Sequence, residues 1–458
     1  MQSHLSNIFL SFYGDDFTGS TDAMEALTLN GLRTVLFMEV PTQEDLINFP
    51  DVDCIGIAGN SRVMTPLEME RELKPILIKL KNLGSKFVHY KVCSTFDSSK
   101  EVGNIAQVIK LARQIYDDQT WVPVVVGSPE LQRYTLFGNH FAYSGDQVFR
   151  LDRHPTMSRH PITPMLEADL RLVLQLQGTQ EISLINILDL QQRYEVLWEI
   201  LLRKLENNPE VVLFDALTQE DSLKIGKLLI ELQKSNPVFV VGSSGVETAL
   251  AASSLTQNLG SRQPRAANYS LRSAEQILVI SGSCSPGTEQ QINWALTHGF
   301  EGIHISLLDI INSPTPESKL LEISNLAVEK MLPGKSLVIY TALGPNDPSI
   351  KLNQNQLIEH GFHISDTGRI LGTFLGKLAK KIIQEIGVKR LVFAGGDTSS
   401  YATRQLGINA MEMITSVAPG APLCRCHSND IHLDGLELVL KGGQFGKESY
   451  FTEVLEMH

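Results

Sequence analysis

The chain has 458 residues, which is too long for one ordinary domain and predicts two or more folding units. Hydrophobic residues make up 43% and charged residues 20%, as in folded globular chains, which excludes a fibrous repeat, a disordered chain and a membrane transporter. The formal net charge of -12 argues against a nucleic-acid partner, because that affinity depends on neutralising phosphates, but it leaves room for a small anionic ligand.

The cysteines and the N-terminus indicate a cytoplasmic protein. The five cysteines are few, odd in number and scattered, which is typical of reduced thiols in the cytoplasm. The N-terminus has no basic segment followed by a long apolar core, and no apolar run is long enough to span a membrane. Cys424, Cys426 and His427 match no usual zinc spacing, so we expect loop thiols and no metal site there.

Short apolar runs alternate with amphipathic helical patterns along the first half of the chain. The predicted strands are Ile8–Tyr13, Thr34–Val40, Cys54–Ala58, Phe87–Val92, Val122–Val126, Ser183–Leu188, Val211–Asp215 and Pro237–Gly242. The predicted helices are Pro66–Asn82, Val102–Tyr116, Gln191–Glu206 and Gln219–Gln233. Such alternation predicts a mostly parallel sheet with helices on both faces.

A polar stretch near residue 260 interrupts this pattern, and the same pattern then begins again. After the stretch come predicted strands at Ile277–Gly282, Ser336–Ala342 and Leu391–Gly396 and a predicted helix at Asp366–Ile386. We therefore predict an α/β protein of two α/β domains, each with a mostly parallel sheet flanked by helices. The predicted boundaries are residues 1–252 for the first domain, 253–275 for a linker and 276–458 for the second domain.

The loop after the first strand carries acids where open α/β sheets place their ligands. Asp15 and Asp16 follow the strand directly, and Thr18 and Asp22 lead into a helix. One carboxylate could accept a proton from a substrate hydroxyl while the other binds hydroxyls. The alternative is structural, with Ser20 or Asp22 capping the helix and the acids forming a turn.

Two further strand ends carry cations and hydroxyls. Ser61 and Arg62 follow the third strand, and an arginine there can hold a carboxylate through two hydrogen bonds, unless it forms only a surface ion pair. Lys91 lies within an apolar strand and needs a partner, for which a substrate anion is suitable. Ser94 and Thr95 follow it. Together these residues predict a pocket for a small polyhydroxy acid.

Three turns in the second half predict nucleotide binding, two of them for the phosphates and the third, with Gly442 and Gly443, for the base or ribose. Glycines and hydroxyls at helix N-termini can hold phosphates, whereas the Walker and dinucleotide-binding glycine patterns are both absent. The turn at residues 242–245 could bind an anion or be only a tight turn. The predicted phosphate and nucleotide residues are Ser281, Ser283, Ser285, Gly395, Gly396, Asp397, Thr398, Ser399, Gly442 and Gly443.

These motifs, in this order, resemble the four-carbon acid sugar kinase family along nearly the whole chain. The matching segments are GDDFTGSTD, NSRVM, KVCSTFDSS, VVGSSG, ISGSCS, GGDTSS, PGAPL and LKGGQFG. The resemblance implies a sugar-acid-binding N-terminal domain, a nucleotide-binding C-terminal domain and an active site in the cleft between them. Cys93 and Asp97 depart from the family pattern, which leaves the identity of the acid open.

The resemblance also implies an activity, namely ATP-dependent phosphorylation of the terminal hydroxyl of erythronate, threonate or a 3-oxo-tetronate, with Mg²⁺. Arg62 and Lys91 would hold the substrate carboxylate. Asp15 and Asp16 would bind hydroxyls, with Asp16 the first choice as catalytic base and Asp397 its rival. Two other classes stay open, a non-catalytic sugar-acid-binding regulator and, less favoured, a hydroxy-acid dehydrogenase. A homodimer is expected only because homodimers are common.

Overall fold

The structure is a computed structural model, and it describes residues 8–116, 118–159, 163–258, 274–313, 315–363, 366–443 and 445–457. The chain divides into two compact units, residues 1–265 and 266–458. Strands and helices are numbered in chain order, and each unit is described by itself.

The first unit contains an eight-stranded sheet and a small second sheet. Its strands are β1 (Leu10–Gly14), β2 (Thr34–Phe37), β3 (Cys54–Ala58), β4 (Phe87–Lys91), β5 (Val122–Val125), β6 (Arg133–Leu136), β7 (Asn139–Ser144), β8 (Gln147–Arg150), β9 (Ile182–Ile185), β10 (Val211–Phe214) and β11 (Val238–Gly242). Its helices are α1 (Phe17–Leu29), α2 (Gln43–Ile47), α3 (Pro66–Asn82), α4 (Ile105–Ile115), α5 (Leu170–Gln177), α6 (Ile187–Leu190), α7 (Tyr194–Leu205), α8 (Gln219–Leu232) and α9 (Gly245–Asn258).

All the described pairings of the large sheet are parallel. The strand order in this unit is β2-β3-β1-β4-β11-β5-β10-β9. In the register, Gly14 of β1 lies opposite Ala58 of β3 on one side and Lys91 of β4 on the other. The loops that follow these three strands therefore leave the sheet side by side at its carboxyl edge.

The second unit contains seven strands of its own. They are β12 (Leu278–Ser281), β13 (Glu301–His304), β14 (Leu337–Tyr340), β15 (Arg390–Ala394), β16 (Ala410–Ala418), β17 (Ala421–His427) and β18 (Glu437–Lys441). Its helices are α10 (Pro286–Thr297), α11 (Leu307–Ile311), α12 (Pro316–Met331), α13 (Pro348–Glu359), α14 (Thr367–Ile386), α15 (Gly396–Leu406) and α16 (Tyr450–Glu456). The order is β13-β14-β12-β15-β18-β17-β16, with β17 antiparallel to both of its neighbours and the other pairs parallel.

Burial explains why these segments form central strands. All five residues of β1, β3, β4, β15 and β18 are buried, as expected for parallel strands covered on both faces. Helix α3 starts with a capping box, in which Thr65 and Glu68 each satisfy a main-chain N–H of the other residue. The predicted α/β class, with mostly parallel sheets flanked by helices, is confirmed.

Several local predictions differ from the structure. The strand predicted at Ser183–Leu188 ends at Ile185, because Asn186 caps α6. Cys424 and Cys426 are buried within β17 and are not loop thiols. The antiparallel sheet β6-β7-β8 was not predicted.

The predicted linker is only partly described. Helix α9 continues to Asn258, beyond the residue 253 at which the linker was expected to begin, and residues 259–273 lie outside the described part of the chain. The domain boundaries stay a prediction. Within the described ranges, no helix has the length and apolar character needed to cross a membrane.

Candidate active site

Helix α1 begins directly at the carboxyl end of β1, and Asp16 is its N-cap. The Asp16 carboxylate accepts hydrogen bonds from Gly19 N (2.9 Å) and Thr18 Oγ1 (2.6 Å). Ser20 Oγ donates to the main-chain oxygen of Asp16, so neither Ser20 nor Asp22 has the capping role that the structural alternative gave it. An Asp at this position satisfies donors that the first helical turn leaves unpaired.

Arg62 lies beside both acids of this loop. It belongs to a 3₁₀ turn after β3 (Ser61–Val63), and its Nη2 lies 2.8 Å from Asp15 Oδ1 and 2.7 Å from Asp16 Oδ1. Its Nη1 lies 4.0 Å from Asp97 Oδ2. The guanidinium is therefore paired with the protein's own carboxylates, and the expectation that it also holds the substrate carboxylate stays a prediction.

Lys91 is also paired within the protein. It is the last residue of β4 and is 1% exposed, and its Nζ lies 3.1 Å from Asp22 Oδ2 of α1. A Cβ at Gly19 would lie 2.8 Å from Lys91 Nζ, so a larger residue there would displace the end of the lysine side chain. Burial lowers the pKa of Lys91, but Asp22 and Asp16 outweigh it and the pKa is raised. Lys91 is thus a charged buried lysine.

The two adjacent acids differ in their electrostatic surroundings. Burial raises the pKa of Asp15, and Arg62 only partly opposes this shift. Burial also acts on Asp16, but Arg62, Lys91 and the hydrogen bonds from Thr18 and Gly19 outweigh it and lower the pKa. The directions of these two pKa shifts favour Asp15 as the proton acceptor, whereas the sequence analysis favoured Asp16, and the assignment stays a prediction.

The loop after β4 brings a thiol, a hydroxyl and an acid together. Cys93 Sγ lies 3.0 Å from Thr95 Oγ1, which donates to Asp97 Oδ1 at 2.7 Å. Phe96, fully buried between these residues, has φ 57°, a conformation that costs a bulky residue about 1–3 kcal/mol. Burial raises the pKa of Cys93 to about 12, so this side chain is a neutral thiol.

Ser61 and the turn at residues 242–245 are largely occupied by local contacts. Ser61 Oγ bonds to Tyr90 Oη at 2.8 Å. Ser243 Oγ donates to Val126 O and accepts from Gly245 N. Ser244 Oγ is buried without a hydrogen-bond partner among the described residues. Of the two serines of this turn, Ser244 is therefore the one whose hydroxyl is unpaired among the described residues.

Two residues of the small sheet reach this site and were not predicted. His140 Nε2 bonds to Ser94 O at 2.8 Å and its Nδ1 bonds to Thr135 Oγ1 at 3.0 Å, and burial lowers the pKa of His140 to about 4. Arg133 interacts electrostatically with Cys93, Asp97 and Asp22. The sequence does not show that His140 and Arg133 belong to this site, because their positions depend on how β6 and β7 fold against the loop after β4.

The second unit brings the predicted serines onto one turn at the start of α10. Ser285 is the helix N-cap and accepts from Thr288 N. Ser285 Oγ is also hydrogen-bonded to Ser283 Oγ and to Gly443 O. Thr288 Oγ1 donates to Gly443 O at 3.1 Å. The turn from Ser281 and the turn after β18 are therefore in direct contact.

The turn after β15 lies against the same residues. Gly395 has φ 123°, which side-chain-bearing residues rarely adopt, and a Cβ there would lie 3.1 Å from Ser283 N. Gly395 N donates to Lys441 O. Helix α15 starts at Gly396 without a side-chain cap, and Ser399 Oγ is buried without a partner among the described residues. Uncapped N–H groups of this kind can bind phosphate oxygens.

Lys441, the last residue of β18, is a further residue missed as a candidate. Its Nζ is fully buried and donates to Gly442 O (2.9 Å) and Thr288 Oγ1 (3.3 Å). Burial lowers its pKa to about 7. A nearby anion would stabilise the charged form of such a lysine. The ring of Tyr450, whose centroid lies 5.8 Å from Nζ, carries no negative charge.

The structure therefore forms two clusters from the candidate residues, one in each unit. The cluster at one sheet edge of the first unit contains Asp15, Asp16, Thr18, Asp22, Ser61, Arg62, Lys91, Ser94 and Thr95. The cluster around the three turns of the second unit contains Ser281, Ser283, Ser285, Gly395, Gly396, Thr398, Ser399, Gly442 and Gly443. Asp397 is the second residue of α15, but its side chain is outside the described structure. Among the described residues, no group of three or more His, Cys, Asp or Glu side chains is arranged so that it could hold a metal ion.

Two domain models match this chain. Residues 10–250 match a sugar-binding N-terminal domain, and residues 278–451 match a nucleotide-binding C-terminal domain. The first match contains the acid, arginine and lysine cluster, and the second contains the three turns.

Curated relatives match nearly the full length. A 3-oxo-isoapionate kinase of Paraburkholderia graminis is 40% identical over 451 residues, covering 98% of this chain and 95% of the relative. A 3-oxo-tetronate kinase of Pseudomonas savastanoi pv. phaseolicola is 28% identical, covering 98% of this chain and 96% of the relative. A 3-oxo-tetronate kinase of Salmonella typhimurium is 28% identical, covering 95% and 96%.

Solved structures share the fold. A Salmonella typhimurium LT2 protein superposes with a TM-score of 0.78 at 24% identity, covering 97% of this chain and 98% of that protein. A Haemophilus influenzae protein superposes with a TM-score of 0.70 at 24% identity, covering 98% and 99%. With both domain models and a 40% identical relative matched along its length, the chain belongs to the four-carbon acid sugar kinase family.

Proposed function

We propose that this protein transfers the γ-phosphoryl group of ATP to a hydroxyl of a small 3-oxo sugar acid. The observation that carries the proposal is the meeting of three strand-to-helix turns around Ser283, Ser285 and Gly443 in the unit that matches a nucleotide-binding domain. These turns supply hydroxyls, an uncapped helix start and a buried lysine, which together suit the phosphates of a nucleotide.

The acid-rich cluster of the first unit suits the hydroxyls of the acceptor. Carboxylates accept hydrogen bonds from hydroxyl groups, and Asp15 and Asp16 are fixed in place by Arg62 and by the start of α1. In the reaction, the acceptor oxygen bonds to the γ-phosphorus, the bond to the β-phosphate oxygen breaks and ADP leaves. The hydroxyl proton passes to a carboxylate, for which the direction of the pKa shifts favours Asp15 over Asp16.

The names of the relatives support one class of acid as the substrate. The 40% identical relative is named for 3-oxo-isoapionate and several relatives near 28% identity for 3-oxo-tetronate, so both names share a 3-oxo acid. We propose a 3-oxo acid of this kind, with 3-oxo-isoapionate to be tested first because of the higher identity. Cys93 and Asp97, at which the chain departs from the family pattern, lie in the substrate cluster. This supports a substrate acid different from that of the 3-oxo-tetronate kinases.

Mg²⁺ is proposed to arrive with ATP, because Mg²⁺ usually keeps several waters and binds phosphate oxygens with one or two carboxylates. The described hydroxyls and N–H groups fit phosphate oxygens, and no described carboxylate cluster forms a separate magnesium site. Bound Mg²⁺ would neutralise charge that develops on the transferred group.

Asp397 stays a candidate for binding the metal or for accepting the proton. Cytoplasmic location and a homodimer also stay predictions, the latter testable by sedimentation.

An ADP-release assay tests the proposed function. The purified protein is incubated with ATP and Mg²⁺ and with 3-oxo-isoapionate, 3-oxo-tetronate, erythronate or threonate in turn. We expect ADP release that depends on a 3-oxo acid. The absence of acid-dependent ADP release with all four acids, from protein that is folded by circular dichroism, would refute the kinase proposal for this substrate class.

A further inference from the structure

The substrate cluster of the first unit has an unbalanced charge. Its described carboxylates are Asp15, Asp16, Asp22 and Asp97, whereas the cations that contact them are Arg62 and Lys91. Both cations already form ion pairs with these acids. An anionic substrate would therefore meet net negative charge here, unless a further cation faces the same space.

Arg133 is the cation that meets this requirement. It is the first residue of β6, and Thr135, two residues on and so on the same face of the strand, bonds to His140 of β7. His140 in turn bonds to Ser94 O in the loop after β4. Asp97 and Asp22 act on its charge, yet Arg133 forms no ion pair with any carboxylate among the described residues. Burial lowers the pKa of Arg133, and the charges of Asp97 and Asp22 oppose this shift without outweighing it.

The hydrogen bonds of Arg133 leave the Nε–Nη2 edge of the guanidinium without an acceptor among the described residues. Nη1 donates to the main-chain oxygens of Leu131 (3.1 Å) and Gln132 (3.2 Å), just before Arg133 in the chain. Nε is buried and has no acceptor among the described residues. A buried guanidinium N–H without an acceptor is costly, and a carboxylate that binds along the Nε–Nη2 edge would satisfy it through two parallel hydrogen bonds.

We propose that Arg133, and not Arg62 or Lys91, binds the carboxylate of the sugar acid and so makes the enzyme selective for acids over neutral sugars. This inference deepens the proposed function and rests on it. Arg62 and Lys91 then have a different task. They hold Asp15, Asp16 and Asp22 in the orientation that receives the hydroxyl groups.

The test compares the acid with its uncharged methyl ester in the wild type and in Arg133→Gln. We expect KM for the acid to rise on the order of 10- to 100-fold in the variant, which corresponds to the loss of a charge-assisted pair, with the KM for ATP unchanged. The KM for the ester should be the same in the wild type and the variant, because the ester has no charge for Arg133 to bind. Arg133→Lys should fall between them, because lysine keeps the charge but lacks the planar fork.

Arg153→Gln is the matched control. Arg153 lies in the 3₁₀ turn that follows the small sheet, and its side chain is 77% exposed. We expect its KM values to equal those of the wild type. An equal rise in KM for acid and ester in Arg133→Gln would show a merely structural role and overturn the proposal, as would an unchanged KM for the acid.

Calorimetric titration of the acid without ATP separates this proposal from the proposed function. If the wild type binds the acid but releases no ADP, the kinase proposal fails, and the loss of binding in Arg133→Gln still tests the arginine. If the wild type releases ADP with the acid and Arg133→Gln binds it as tightly as the wild type, only the proposal about Arg133 fails. If the wild type binds none of the acids, both fail.

Discussion

Arg62 donates two hydrogen bonds to the carboxylate of Asp15, one from Nε at 3.3 Å and one from Nη2 at 2.8 Å. A bidentate pair of this kind fixes both side chains, because the guanidinium and the carboxylate are planar and their atoms match. Arg62 is therefore an internal partner of the acids after β1. Its removal would disturb the orientation of these acids before it affected any direct contact with substrate.

The ion pair between Lys91 and Asp22 predicts a large effect on stability. In Asp22→Asn, the buried ammonium loses its nearest carboxylate and keeps only the weaker fields of Asp16 and Asp15. We expect the free energy of unfolding to fall by about 3 kcal/mol, measured by urea denaturation. The matched control is Glu220→Gln, which removes an exposed pair with Lys224 and should cost less than about 1 kcal/mol. Equal small losses would show that Lys91 does not need this partner.

The proton acceptor can be assigned from single-turnover rates. Because burial raises the pKa of Asp15 while its surroundings lower that of Asp16, we expect Asp15→Asn to slow the chemical step by about 100-fold or more at saturating substrate. Asp16→Asn should weaken substrate binding more than it slows chemistry, because asparagine still caps a helix. A full chemical rate in Asp15→Asn together with loss of the rate in Asp397→Asn would assign the proton to Asp397 instead.

Lys441 predicts a pH-dependent nucleotide affinity. Burial lowers its pKa to about 7, and a bound phosphate raises that pKa, since an opposite charge favours the ammonium form. The affinity for ADP should then fall as the pH rises from about 7 to 9, with proton uptake on binding in titration calorimetry. In Lys441→Met this pH dependence should be lost. The same affinity change with pH in the wild type and the variant would contradict the role of this lysine.

His140 predicts acid-induced loss of stability. Its pKa is about 4 in the folded protein and 6.5 ordinarily, so the folded state binds fewer protons than the unfolded state between these values. Its contribution is complete above pH 6.5 and is lost as the pH falls toward 4, by about 3 kcal/mol in all. His140→Gln should reduce the slope of unfolding free energy against pH in this window. His298→Gln, at an exposed ring, should leave the slope as in the wild type, and an unchanged slope in His140→Gln would contradict the assignment.

The parallel sheets could be predicted because their strands are short apolar runs. Cys54–Ala58 and Pro66–Asn82 were predicted with the bounds of β3 and α3. The small sheet was missed because β6, β7 and β8 are only partly buried and lack an apolar run. The strand order also brings together the three turns of the second unit, which the sequence marked separately by their glycines and serines.

The substrate cluster was predicted by residue type but not by pairing. A sequence shows that Arg62, Lys91 and several acids lie at the ends of strands. It cannot show whether the two cations bind a ligand or form ion pairs with these acids. Arg133 lay outside the prediction because its relation to Asp97 is created by a hairpin about 40 residues later in the chain. For the same reason Lys441 could be placed after a strand but not recognised as fully buried.

The measurement that tests the proposed function most directly is mass spectrometry of the sugar acid after incubation with the wild-type protein, ATP and Mg²⁺. We predict a 3-oxo acid that has gained one phosphoryl group, in amounts equal to the ADP formed. Formation of ADP and inorganic phosphate with the acid unchanged, or an unchanged nucleotide in the presence of bound acid, would contradict it.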